Sequence, residues 1–184
     1  MKFDPSLFWQ LLKMFFGLYL CLYLAYILYI YVFHISYSVV SVSAILLPAI
    51  FLLIMLVAFR KNKKMQKEYK TIRNLGIMAP ILCMGILGFY EYQTTFTTEK
   101  WLNSDKEKVY MVDDLLENYT LKDMTKDELT SLLGAPIETE YFKSDNNVVY
   151  YLGDERGLIS IDSEWLVIDF DSRGRVANYQ VLTD

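Results

Sequence analysis

The chain has 184 residues, of which 54% are hydrophobic and 16% aromatic, and its formal net charge is −4. The charge is unevenly divided: residues 1–99 hold nine basic and four acidic side chains, whereas residues 100–184 hold nine basic and eighteen acidic ones. This division argues against a single soluble globule and predicts a membrane half followed by an acidic soluble half. Nucleic acid is not expected as a partner, because its phosphates repel an acidic domain.

Three uncharged apolar runs lie in the first half, at residues 14–33, 37–59 and 75–90. A helix needs about 20 apolar residues to cross the hydrocarbon core of a bilayer. We therefore predict a membrane domain over residues 1–92 with helices at about 14–33, 37–59 and 73–92. If the third run does not cross, the second half of the chain lies in the cytosol.

Aromatic residues recur at helical spacing in the first run. They are Phe16, Tyr19, Tyr23, Tyr26 and Phe33. We predict that this face packs against the other two helices, with hydroxyl groups bonded across the interface, and a lipid or ligand groove is the alternative. The middle of each run lacks Asp, Glu, Lys and Arg, which weighs against a pump or transporter.

Seven basic residues follow the second run, opposed only by Glu68. They are Arg60, Lys61, Lys63, Lys64, Lys67, Lys70 and Arg73. Lysine and arginine hold short loops on the cytoplasmic side, so we predict that loop 60–73 and the N-terminus are cytoplasmic. A third crossing then places the remaining chain outside the cytoplasm. Binding of anionic lipid headgroups is the alternative role for this loop.

A polar stretch at residues 93–104 predicts a tether, and residues 105–184 predict a small domain. Apolar spacing indicates a helix over residues 105–119. The sequence predicts both ends of a second helix. Thr125 and Glu128 form a capping-box pair at its start, and Gly134 suits a left-handed position at its end.

Extended segments follow the second helix. They are predicted at residues 138–143, 148–152, 158–161, 165–170 and 175–182, of which the last two form a hairpin. Two helices followed by these strands predict an α+β layer, with the helices on one face of an antiparallel sheet of three to four strands. The predicted fold class is thus three transmembrane helices plus an α+β domain.

The segments 123–129 and 132–136, which read D-M-T-K-D-E-L and L-L-G-A-P, resemble an element of the SmpA/OmlA (BamE-like) family. That element reads G-M-T-x-x-E-V…L-L-G-x-P, and Asp123 stands here in place of its glycine. The resemblance covers about residues 109–184 and implies a small envelope domain with two helices followed by an antiparallel sheet. It also implies an envelope interaction module, although the lipid-anchoring cysteine of the family is missing.

The residues indicate no catalytic, cofactor or metal site. The single histidine, His34, has no carboxylate neighbours, and Asp169, Asp171 and Gly174 fit a hairpin turn better than a calcium loop. We therefore expect a non-catalytic protein-binding module of the cell envelope, in contact with the lipid bilayer and a membrane or envelope protein. The alternative is an accessory subunit of a membrane enzyme or transport complex. The candidate binding surface comprises Tyr151, Asp154, Glu155, Arg156, Asp162, Glu164 and Trp165.

Overall fold

The computed structural model describes residues 5–57, 66–104, 106–157 and 159–184. The chain divides into two compact units, here called the membrane unit (Met1–Glu91) and the C-terminal unit (Tyr92–Asp184). The predicted fold class is confirmed, because three long apolar helices accompany an α+β arrangement with a three-stranded antiparallel sheet.

Three helices carry the apolar runs: α1 (Pro5–Phe33), α2 (Val39–Val57) and α3 (Gln66–Thr94). Each is long and apolar enough to cross a bilayer. The chain therefore has the helices of a multi-pass membrane protein. The third run, which was short by sequence, belongs to a helix of 29 residues.

Two helix limits differ from the prediction. α1 begins at Pro5 instead of near residue 14, and α3 begins at Gln66, so Lys67, Lys70 and Arg73 lie on a helix instead of in a loop. Good helix formers, here Gln, Lys and Glu, extend a helix beyond its apolar part. The other four basic residues of the predicted loop, Arg60, Lys61, Lys63 and Lys64, lie outside the described residues.

Tyrosine hydroxyl groups of α1 bond to backbone carbonyls of its neighbours, as the aromatic face predicts. Tyr19 donates to the carbonyl of Gly76 at 2.5 Å, Tyr23 to that of Ile45, and Tyr26 to that of Ser41 at 3.1 Å. The Gly76 carbonyl would accept a helical bond from residue 80, but that residue is a proline without an N–H. Tyr19 thus satisfies an acceptor that the α3 helix leaves open.

The C-terminal unit contains three short helices and three strands. These are α4 (Thr98–Asn103), α5 (Lys108–Asn118), α6 (Lys126–Leu133), β1 (Asn147–Asp154), β2 (Ser163–Phe170) and β3 (Val176–Thr183). The sheet order is β1-β2-β3, with both pairs antiparallel. Its core joins Leu115 of α5 and Leu129 of α6 to Leu166 and Ile168 of the central strand, and all four are 0% exposed.

Both ends of α6 have the predicted chemistry. The Thr125 side chain accepts from the backbone N–H of Glu128 at 3.3 Å, and the Thr125 N–H donates to the Glu128 carboxylate at 2.8 Å. The Thr125 hydroxyl also donates to this carboxylate, at 2.9 Å, and the two bonds that the carboxylate accepts from Thr125 lower the pKa of Glu128. Gly134 ends the helix with a φ of 78°, the left-handed region that favours glycine.

The tether predicted over residues 93–104 is wrong. Most of it forms the end of α3 and the whole of α4, and Trp101 on α4 is fully buried in the core. The Trp101 indole N–H donates to the carbonyl of Leu133 at 3.1 Å, and its ring contacts Phe96. One buried tryptophan in a single helical turn is too short a pattern to show periodicity.

The strand predicted over residues 138–143 is also wrong, as is the extended segment near residue 160. Phe142 has a φ of 54°, which no strand accommodates. The Asn147 side chain fixes the turn instead, because it donates to the Phe142 carbonyl and accepts from the Ser144 N–H. Residues 159–161 form no strand, and Leu158 lies outside the described residues.

Candidate functional site

The sheet face opposite the helices is covered by its own chain. Val149, Trp165 and Val167 form a small buried cluster on this face, and Phe142 packs against it. The ring of Tyr141 stacks on Trp165 with 5.3 Å between centroids, which leaves Trp165 only 7% exposed. Trp165 was predicted to lie on a binding surface, but the segment before β1 buries it. Within the described residues its indole N–H has no hydrogen-bond partner.

A bulge at the end of β1 sets the direction of the loop that follows. The register with β2 shifts between Tyr151 and Gly153, and Gly153 has a φ of 138°. A Cβ atom at this position would lie 2.3 Å from the backbone oxygen of Lys106. Only glycine fits here, for both steric and conformational reasons.

An ionic cluster at the base of the loop connects it to β2 and α5. The Arg156 guanidinium donates to both oxygens of Glu164, at 3.1 and 2.8 Å, and its Nη1 donates to Asp113 at 2.5 Å. The Arg156 backbone N–H also donates to Glu164 at 2.9 Å. The Glu164 side chain is 8% exposed, so this bidentate pair is largely shielded from water.

Two hydrogen bonds close the neck of the loop that joins β1 to β2. The Glu155 N–H donates to the Asp162 carbonyl at 2.9 Å, and the Ser160 hydroxyl donates to the Glu155 carbonyl. Beyond this neck, Ile159 and Ile161 are 75% and 82% exposed. The result is a loop that is closed at its neck and presents two isoleucines to the surroundings. We call it the isoleucine loop.

The structure separates the predicted surface residues into three groups. Asp154, Arg156 and Asp162 are exposed, whereas Tyr151 and Glu155 are partly buried. Glu164 and Trp165 are buried, which corrects their prediction as surface residues. Glu164 is buried because its carboxylate is the counter-ion of Arg156, a contact that the spacing of the two residues did not reveal.

The candidate binding residues predicted from the sequence lie on both sides of Ile159 and Ile161 but do not include them. The sequence predicts an extended segment over residues 158–161. The informative signal was their position between two strands among acidic and small residues, where a core residue is not expected.

Two side chains at the base of the loop, Tyr151 and Arg156, have pKa values above their usual ones. Burial raises the pKa of Tyr151, and its hydrogen bond to Asp154 at 3.2 Å raises it further. For Arg156, burial lowers the pKa, but the bonds and charges of Glu164 and Asp113 raise it more, so it ends above its usual value. Arg156 thus remains a cation, and it neutralises part of the acidic surroundings.

The carboxylates at the base of the isoleucine loop are engaged in ion pairs. Both oxygens of Glu164 and one of Asp113 are bonded to Arg156. A general acid or base needs a carboxyl group that can exchange its proton with a substrate. Across the described ranges, no group of three His, Cys, Asp or Glu side chains is arranged to hold a metal ion.

Comparison of the chain with protein-family models, curated proteins and solved structures finds no match.

Proposed function

We propose that this chain is a membrane-anchored protein-binding module of the cell envelope, and that the isoleucine loop contacts its partner. The observation that carries the proposal is the exposure of Ile159 and Ile161 on a loop that is fixed at its base. Exposed apolar side chains are unfavourable in water, and a preorganised loop loses little conformational entropy on binding. Asp154 and Asp162 flank the loop and favour a partner with basic groups around an apolar pocket.

Charge distribution supports an extracytoplasmic position for the C-terminal unit. Lys67, Lys70 and Arg73 are exposed at the start of α3, next to the four basic residues that precede it. Basic residues near the end of a membrane helix are retained in the cytoplasm. The opposite end of α3, followed by the C-terminal unit, is then outside.

Three features of the C-terminal unit support its likeness to SmpA/OmlA domains. The order α5, α6, β1, β2, β3 is two helices followed by an antiparallel sheet, as that resemblance implies. The capping box at Thr125 is formed. Asp123, which stands where the family has glycine, has a φ of 66°, a conformation that glycine adopts without strain.

Site-specific photo-crosslinking in living cells tests this proposal. A photoreactive residue at Ile159 or Ile161 is expected to capture one recurring protein, identified by mass spectrometry. The same residue at Lys126, exposed at the start of α6, is the control and should not capture it.

A second variant links the capture to apolar contact. Ile159→Asp leaves the Arg156–Glu164 pair unchanged, and it should reduce capture from position 161 by about tenfold or more, as expected when a binding hot spot is lost. Equal capture from Lys126, or crosslinks to lipid alone, would contradict the proposal.

A further inference from the structure

A groove of about 540 Å³ opens between α1 and α3 of the membrane unit. At one end it is lined by charged side chains, among them Lys13 and Lys67. At the other end the lining is apolar and includes Phe16 and Ile72. Its volume lies within the range of roughly 300–1,000 Å³ that is common for small-molecule sites.

The charged end of the groove has a net positive charge. Its lining contains two lysines and one carboxylate, that of Glu68. This carboxylate is already engaged, because one of its oxygens accepts from the Trp9 indole N–H at 2.9 Å and lies 3.7 Å from the Lys13 ammonium group. The Lys13 side chain is 51% exposed, so its ammonium group remains accessible to a second anion.

The apolar end of the groove is open because of a glycine. A Cβ atom added to Gly17 would meet no atom within 4 Å. Ile72, on the facing helix, is 5% exposed and forms part of the membrane-unit core. The backbone of α1 at Gly17 therefore leaves space for an extended apolar chain.

We propose that this groove binds an anionic phospholipid, whose phosphate lies at Lys13 and Lys67 and whose acyl chain passes over Gly17. The ligand must be anionic at one end and apolar at the other, and helices of this length and composition are surrounded by such molecules in a bilayer. A zwitterionic lipid carries its own cation and gains less from the positive charge. This inference is independent of the proposed partner of the C-terminal unit.

The amount of each lipid that the purified full chain retains measures binding at the groove. The chain is equilibrated with equal amounts of phosphatidylglycerol and phosphatidylcholine in mild detergent, and the bound lipids are counted by native mass spectrometry. The wild type should retain phosphatidylglycerol preferentially. The double variant Lys13→Gln/Lys67→Gln should lose roughly thirtyfold in this retention, since each lysine contributes about five- to sixfold.

Two further variants distinguish lipid binding in the groove from unspecific electrostatic attraction of lipid to the basic residues nearby. Lys70→Gln/Arg73→Gln removes the same charge from residues that do not line the groove, and its retention should remain near that of the wild type. Gly17→Leu changes no charge but fills the apolar end, and it should reduce retention about as much as loss of the lysines. If the lysine double variant fails to fold, as judged by circular dichroism, Lys67→Gln and Gly17→Leu decide the question.

Three outcomes would overturn the inference. Equal losses in both double variants would indicate unspecific electrostatic attraction, and full retention by Gly17→Leu would show that no chain lies in the groove. Displacement of the lipid by soluble glycerophosphoglycerol at an equal concentration would indicate a simple phosphate site.

Discussion

The two units of this protein differ in where their hydrophobic side chains lie. Many of them face outward in the membrane unit, whereas those of the C-terminal unit form a buried core. In the membrane unit, Leu18 is 69% exposed and Val39 is 85% exposed, whereas Leu115 and Leu166 of the C-terminal unit are 0% exposed. Apolar surface is unfavourable only against water. The difference teaches that the first unit is adapted to lipid and the second to an aqueous phase, although one chain forms both.

The units also differ in how they satisfy buried polar groups. Between its apolar runs the membrane unit uses neutral bonds, such as that from the Tyr19 hydroxyl to the Gly76 carbonyl, and its contact of Glu68 with Trp9 lies near the start of α3. The C-terminal unit also has neutral bonds, such as that of Trp101, but it adds a charged pair, Arg156 and Glu164, at the edge of its core. Charges are costly in hydrocarbon, whereas at a protein–water boundary solvent can still reach one partner.

A side chain introduced at Gly153, in the bulge of β1, should destabilise only the C-terminal unit. Gly153→Ala is expected to lower the free energy of unfolding of this unit by about 4 kcal/mol, because it combines strain with steric overlap. Gly157→Ala is the control: its φ of 144° is similar, but no atom lies within 4 Å, so about 1–2 kcal/mol of strain remains. Urea unfolding followed by tryptophan fluorescence measures both variants. Equal losses would mean that the contact with Lys106 is unimportant.

Truncation of one leucine in each unit sharpens the comparison. Leu166→Ala should destabilise the C-terminal unit by about 3 kcal/mol, since it creates a cavity in the core. Leu18→Ala should change the stability of the membrane unit by less than about 0.5 kcal/mol, because its side chain faces outward. Denaturant titration of the full chain in detergent measures both. A large effect of Leu18→Ala would indicate that another protein surface, instead of lipid, covers α1.

Removal of the buried carboxylate tests the charged base of the isoleucine loop. Glu164→Gln is expected to cost about 1–2 kcal/mol, less than for a fully buried pair because the Arg156 side chain is 33% exposed and partly screened by solvent. Asp113→Asn should cost less than about 1 kcal/mol, since Asp113 is 66% exposed. Thermal unfolding of the C-terminal unit measures both. The reverse order would mean that Asp113 is the principal partner of Arg156.

The smallest expected effect is the loss of the Tyr19 hydroxyl group, which bonds the carbonyl that Pro80 of α3 leaves without a helical donor. Tyr19→Phe leaves the Gly76 carbonyl without its donor and should destabilise the membrane unit by about 1 kcal/mol. Tyr29→Phe, whose ring is 48% exposed, is the control and should have little effect. Unfolding in mixed micelles of increasing detergent strength measures the difference. Identical behaviour would show that the Tyr19 bond contributes nothing.

Local signals made part of this structure predictable. The apolar runs predicted three membrane helices, and Thr125, Glu128 and Gly134 predicted both ends of α6. Each of these signals lies within one segment of the chain. The burial of Trp101 and Glu164 depends on residues 32 and 8 positions away, and single-sequence patterns do not report such contacts.

The two proposed binding surfaces were less predictable than the fold, for the same reason. The groove joins Lys13 of α1 to Lys67 of α3, which are far apart in the sequence. The isoleucine loop contains alternating apolar residues, a pattern that also suits a strand, and only the closed neck distinguishes the two.

Thiol labelling of intact cells tests most directly whether the C-terminal unit lies outside the cytoplasm. In a background where Cys21 and Cys83 are replaced, one cysteine is introduced at exposed Ser144 and, in a second variant, at exposed Lys70. A membrane-impermeant reagent should label the cysteine at position 144 in intact cells, and that at position 70 only after lysis. Labelling of position 144 only after lysis would contradict an extracytoplasmic binding module.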